Sequence, residues 1–117
     1  MKKQDCMLEK EHEKRVTDAI ASMPSEEVVV GMADIFRMLS EPSRLRIVLA
    51  LTKGESCVYH LVEACGGTQS GVSHQLRVLK DNKIVKARRA GQSVFYSIAD
   101  EHILEMIAIG MEHADCK

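Results

Sequence analysis

The sequence predicts a mainly α fold carrying one small β-hairpin. Apolar residues recur at helical three-and-four spacing from residue 4 to 82 and again from 100 to 115. Two of these helical stretches meet across Gly66-Gly67, and only residues 84–98 set β-branched and aromatic residues on both sides of a glycine. At 117 residues, 45% hydrophobic and 28% charged, the chain fits one compact domain with a modest core.

Residues 4–21 are charge-rich, with apolar positions at Leu8, Val16, Ala19 and Ile20, and read as a partly amphipathic helix ended by Met23-Pro24-Ser25. Ser25 can cap a second helix that has Glu26 and Glu27 in its first turn and Val28, Met32, Ile35, Phe36 and Leu39 as its buried stripe. After a break at Ser40-Glu41-Pro42, Pro42 suits the first turn of a third helix, in which Leu45, Val48, Leu49 and Leu51 point inward before Gly54. A short helix follows from Cys57 to Cys65, with Val58, Leu61 and Val62 inward and Gly66-Gly67 closing it. Thr68 is placed to cap the next helix, 69–82, whose inner stripe is Val72, Leu76 and Leu79. The strands expected at 84–89 and 93–98 flank Ala90-Gly91-Gln92, and a last helix spans 100–115. Ile103, Met106, Ile107 and Ile109 give that helix apolar surface on more than one side, so it is expected to pack on a second subunit. Residues 1–24 then form a charged helical segment. Residues 25–117 are expected to form a winged helix-turn-helix domain that includes the C-terminal helix as its dimerisation element, a single domain overall.

The net charge of −1 hides a polar distribution. Arg77, Lys80, Lys83, Lys86, Arg88 and Arg89 crowd one segment against Asp81 alone, whereas 100–117 holds five acids against Lys117. The first segment suits phosphate and the second suits cations. Tyr59, Tyr96, Phe36 and Phe95 are the only aromatic residues, too few for stacking along a single strand, so duplex DNA is the expected polyanion. No apolar run approaches the roughly 20 residues of a membrane helix, and no charged-then-apolar signal follows Met1. A cytoplasmic location is expected, with Cys6, Cys57, Cys65 and Cys116 reduced and serving as small apolar side chains or as ligands.

Helix, glycine turn and helix place the second helix in a major groove, and the hairpin lies beside it as a wing. Gln69, Ser70, Ser73, His74 and Arg77 face outward as candidate readers of base edges. Lys86, Arg88, Arg89 and Gln92 are the wing candidates for phosphates or a minor groove.

Three ordered motifs carry a resemblance: Leu39-Ser-Glu-Pro-Ser-Arg-Leu-Arg-Ile47, Gln69-Ser-Gly-Val-Ser-His-Gln-Leu-Arg-Val-Leu79 and Gly91-Gln-Ser-Val-Phe-Tyr96. The chain resembles the ArsR/SmtB family of bacterial metal-responsive repressors from about Met32 to Cys116 without a gap. The resemblance implies a homodimer on a pseudo-palindromic operator, released when metal binds, and it implies no enzyme.

Asp100-x-His102 and His113-x-x-Cys116 combine oxygen, nitrogen and one thiolate, a set suited to tetrahedral zinc. His102 and His113 share a helix face but stand roughly 16 Å apart along it, so one ion cannot take both from one chain. An antiparallel partner helix would bring Asp100 and His102 of one chain to His113 and Cys116 of the other, giving two equivalent sites. The resemblance supports Asp100, His102 and His113 as ligands; the fourth position is commonly Glu or His in the family, so Cys116 is a departure that favours softer ions. Zinc is the expected effector, with cobalt, nickel and cadmium able to use the same donors. A second candidate site joins Cys57 and His60 with Cys6 or His12, although His60 stands where the family has Asp or Cys. Cys57 and Cys65 also read as plain buried thiols.

An alternative keeps the fold but makes it a thiol or persulfide sensor, or a cadmium/lead-type sensor, using Cys57 and other cysteines. A catalytic metal held by the C-terminal donors finds no general base beside a pocket. In a further alternative, metal sites that are purely structural or lost leave DNA binding constitutive.

Overall fold

The computed structural model describes residues 9–116. Eight elements follow in order: α1 (Glu9–Ser22), α2 (Glu26–Leu39), α3 (Pro42–Leu51), α4 (Val58–Cys65), α5 (Gln69–Asp81), β1 (Val85–Ala90), β2 (Ser93–Ile98) and α6 (Glu101–Asp115). Their order matches the expected one. The described backbone groups into two compact units, one ending at Ala33 and one beginning at Asp34, with the boundary inside α2.

In the first unit, α1 buries no residue, in keeping with its charge. Ser25 caps α2 as expected: its hydroxyl accepts from the Val28 amide at 3.3 Å. The apolar stripe expected to be buried on α2 is not. No α2 residue is fully buried, Phe36 is 55% exposed and Val28 and Met32 about half, while Ile35 and Leu39 are half-buried. A helix-period pattern marks a face that leaves water, and it is blind to whether the cover comes from the same chain.

The second unit holds the core. Ile47, Val48 and Leu51 of α3, Leu61 of α4 and Val72, Leu76 and Leu79 of α5 pack with Ile84, Val85, Ile103 and Ile107, all of them nearly inaccessible. Burial of each such side chain contributes about 1.5–3 kcal/mol. Local signals set where the helices begin. Glu41, the residue before Pro42, turns its carboxylate back to accept from the Ser43 and Arg44 amides at 3.1 and 3.0 Å. Those two amides hold the Glu41 carboxyl below the usual carboxylate range. Thr68 caps α5 by accepting from the Gly71 amide at 3.0 Å, and a Cβ at Gly71 would crowd that hydroxyl.

The end of α5 is less ordinary. Lys83 takes a left-handed φ of 62°, its amide bonds the Lys80 carbonyl at 3.0 Å, and the Ile84 amide reaches the Leu79 carbonyl at 2.9 Å. These paired bonds, with Leu79 and Ile84 both buried, form a Schellman ending in which lysine occupies the usual glycine position. The chain then enters β1, which pairs antiparallel with β2 from Val85↔Ile98 to Ala90↔Ser93. Gly91, φ 64°, supplies the left-handed residue of the two-residue loop. Ser56 extends the sheet by exchanging both backbone bonds with Tyr96 at 2.9 and 2.8 Å, which fixes the hairpin to the segment before α4.

Replacing Lys83 by glycine relieves a side chain held in a left-handed conformation. Lys83→Gly is expected to raise stability by about 0.5–1 kcal/mol in urea denaturation; an unchanged or lowered midpoint would show that the turn is not strained.

The glutamate cap yields a pH dependence. A carboxyl whose folded pKa is lowered stabilises the fold above its ordinary value of 4.5 and loses that contribution as pH falls through the folded value. The stability difference between the wild type and Glu41→Gln should therefore shrink as pH drops below about 4.5. Parallel stability curves from pH 7 to 3 would remove the charged cap from the account.

Candidate nucleic-acid interface and metal-ligating residues

The buried stripe of α5 dictates what the helix shows to solvent. With Val72, Leu76 and Leu79 turned inward, the 100° step per residue turns Ser70, His74 and Arg77 outward. Gln69, Ser70, His74 and Arg77 are exposed and Ser73 is half-buried. Donors and acceptors suited to base edges thus share the exposed side of a helix whose other side is packed in the core.

Gln75, the neighbour of that row, faces the other way. Its side-chain oxygen accepts from Arg44 Nε at 2.8 Å and its amide nitrogen donates to Glu41 at 3.5 Å, while Arg44 also reaches the Met38 carbonyl at 3.4 Å. The end of α2, the start of α3 and the middle of α5 are tied by this half-buried network. Tyr59, 64% exposed on α4, accepts from Gln69 Nε2 at 3.4 Å and so stands beside the outward row. Sequence reasoning passed over both. An exposed tyrosine in a chain with four aromatic residues was the available signal for Tyr59; nothing in the sequence distinguishes the inward Gln75 from the outward Gln69.

On the hairpin, strand alternation places Lys86 and Arg88 on one face of β1 and Arg89 on the other. Arg88 is already engaged. Its guanidinium grips Glu55 with Nε 2.9 Å from Oε2 and a second nitrogen on Oε1, and lies 5.0 Å from the ring centre of Phe95, its cross-strand partner. The pair raises the Arg88 pKa and holds Glu55 below the usual carboxylate range, each through the other's hydrogen bonds and charge. Arg88 therefore anchors the wing to the loop before α4, while Lys86, Arg89 and Gln92 remain exposed.

The candidate metal ligands divide between the two ends of α6. Asp100 caps the helix, with Oδ1 accepting from the Ile103 amide at 3.0 Å, and His102 Nδ1 lies 3.7 Å from the same oxygen. His113 stands in the last turn and Cys116, extended, ends the helix; both are exposed. Among the described residues of one chain, no three His, Cys, Asp or Glu side chains group closely enough to hold an ion. Of the second set, Cys57 is half-buried at the start of α4, His60 is exposed, His12 belongs to α1, and Cys6 lies outside the described residues. Cys65 is half-buried, its thiol donating to the Arg46 carbonyl at 3.5 Å, and burial pushes that thiol up, away from the reactive thiolate.

Between the two ends, α6 exposes Leu104, Ile109 and Met111, with Ile109 at 67%. A groove of about 800 Å³ runs beside it, lined by Phe36, Leu39, Leu49, Met106, Gly110 and Met111 among others.

A three-helix body with a groove-sized outward helix and a hairpin wing is the architecture of a winged helix-turn-helix DNA-binding regulator. Residues 41–87 match the model of the bacterial regulatory protein arsR family. A transcriptional repressor SmtB homolog from Synechocystis is 38% identical over 102 residues, 87% of this chain and 77% of that one. The cadmium resistance transcriptional regulatory protein CadC homolog of Staphylococcus aureus is 31% identical over 97% of this chain and 93% of its own length. In structure, the homodimeric winged helix-turn-helix DNA-binding domain of Mb0332 from Mycobacterium bovis superposes with a TM-score of 0.73 at 29% identity, covering 80% of this chain and 90% of that one. The chain belongs to the arsR family of bacterial regulatory proteins and is a DNA-binding transcriptional regulator. No described helix is long and apolar enough to cross a membrane.

Proposed function

We propose that the protein is a homodimeric repressor that holds operator DNA in its metal-free form and releases it when zinc, or cobalt, nickel or cadmium in its place, binds at two equivalent sites between the α6 helices. The observation that carries this is the division of donors between the two ends of a helix with an exposed apolar flank. Two donors at each end are too few for a tetrahedral ion, and two antiparallel helices supply four at each site. Asp100 and His102 of one chain would then meet His113 and Cys116 of the partner subunit. Because the cap occupies Oδ1 of Asp100, its second carboxylate oxygen is the one free for an ion.

The relatives support the reading at the level of their names: one is a repressor, another serves cadmium resistance, and the Mb0332 domain is a homodimer. The bound ion supplies a cross-link between subunits and no chemistry. The protein's own residues do the rest. Gln69, Ser70, Ser73, His74 and Arg77 read a major groove, and Lys86, Arg89 and Gln92 on the wing touch the flanking backbone, with Arg88 holding the wing in place. The distance between two α5 helices is set by how the dimer packs, so a clamp on α6 alters the fit to successive grooves. Such coupling is reciprocal, and operator DNA must weaken metal binding by the same factor. The reading places the protein in the cytoplasm with the DNA, without an enzymatic role.

Binding of an operator-length duplex, followed by fluorescence anisotropy, tests this. Zinc should weaken wild-type binding by about 5- to 150-fold, the usual range of such coupling, and leave His102→Ala/His113→Ala bound. An equal response in both proteins would overturn the α6 assignment and move attention to Cys57 and His60.

A further inference from the structure

The six arginines from Arg37 onward fall into two groups. Arg37 pairs with Asp34 at 2.6 Å, Arg44 is held by Gln75 and the Met38 carbonyl, and Arg88 grips Glu55. The guanidinium groups of Arg46, Arg77 and Arg89 make no hydrogen bond or ion pair among the described residues, and all three residues are exposed. Arg77 and Arg89 stand on the recognition helix and the wing, where a DNA role is already proposed. Arg46 stands elsewhere, and nothing above assigns it a task.

It lines a cleft of about 350 Å³ between α3 and α5, together with Ser43, Cys65, Gly67, Thr68 and Gln75. Gly71 and Gln75 form the α5 wall of this cleft, and their positions on the helix border the outward row of Ser70, His74 and Arg77. The cleft therefore opens alongside the groove-facing side, toward α3. Gly66 and Gly67, at φ 81° and 90°, form another wall, and a Cβ at either would meet nothing within 4 Å. The backbone is open to close approach there. The Glu41 carboxylate keeps its charge but is engaged by the Ser43 and Arg44 amides and by Gln75, and it makes no ion pair with Arg46 among the described residues. The bond from the Cys65 thiol to the Arg46 carbonyl joins the two walls at 3.5 Å.

We infer that this cleft receives a backbone phosphate of duplex DNA, with the Arg46 guanidinium as its cation, giving the protein a second line of backbone contact beside the wing. The inference rests on α5 lying in a major groove. An arginine with no internal partner, in a concave site continuous with the recognition face, offers the planar donors that a phosphate accepts. A phosphate contact holds register on the duplex without reading sequence.

The test is the salt dependence of duplex binding by the full chain, for operator and for scrambled DNA, with Arg46→Ala, Arg46→Gln and Arg77→Ala beside the wild type. Losing one phosphate contact lowers the slope of log K against log salt by about 0.9. Arg46→Ala should show that loss and weaken binding about three- to tenfold on both duplexes alike, leaving their ratio unchanged. Arg46→Gln should do the same, which guards against a folding defect in either variant; unchanged thermal melting completes that control. If Arg77→Ala impairs binding while both Arg46 variants keep the wild-type slope, the DNA reading stands and the cleft proposal falls. A changed operator-to-scrambled ratio in the Arg46 variants would also overturn it, because base reading would then be at work. If neither Arg77→Ala nor the Arg46 variants alter binding to either duplex, the placement of α5 itself fails.

Discussion

The burial of Val72, Leu76 and Leu79 fixes the rotation of α5 about its own axis, and the rest of the molecule's chemistry depends on that rotation. A turn of 100° would take Leu76 to the surface and put His74 or Arg77 against Val48 and Leu61, a cost of several kcal/mol for each buried charge or lost side chain. The outward row is thus set by what the helix hides. Gln75 adds a second restraint from the flank, because its amide is satisfied only when α5 sits against Glu41 and Arg44. Three apolar contacts and one polar network hold the same orientation, which is what a helix presented to a groove requires.

A different constraint governs the other side. The faces of α2 and α6 carry Phe36, Leu104, Ile109 and Met111 into solvent in a single chain, next to a wide apolar groove. Side chains of this kind gain by leaving water, and neighbouring exposed apolar residues on two helices mark a surface that another polypeptide covers. The proposed metal sites depend on that same cover, since the donors at each end of α6 form half a coordination shell. On the proposed reading, assembly and metal recognition would be one geometric problem, solved by pairing α6 with itself.

Much of this was legible in the residues, for reasons that are local. Ser25, Pro42, Thr68 and Gly66-Gly67 act on backbone groups within four positions of themselves, so their roles could be read and the structure agrees. The inner stripe of α5 and the hairpin followed from periodicity alone. Three features were not legible. The α2 stripe reads as buried because periodicity reports hydrophobic faces and not their partners. The pairing of Arg88 with Glu55, 33 residues away, leaves no local sign in the sequence. Lys83 carries no mark of a left-handed turn, since its conformation is imposed by Ile84 entering the core. Asp100, His102, His113 and Cys116 stood out by donor type and spacing, and the structure sets them where the spacing implied, at two ends of one helix.

Asp100 shows why donor residues at such a site need not be equivalent. Its Oδ1 satisfies one of the orphaned amides of α6, that of Ile103, a cap worth about 1 kcal/mol whether or not an ion is present. His102 and His113 are exposed and make no comparable contribution to the helix. Loss of Asp100 would therefore disturb the fold and the proposed site together, whereas loss of either histidine touches the site alone. The histidines would carry the cleaner information about metal, because in the proposed site Asp100 would serve both the helix and the ion.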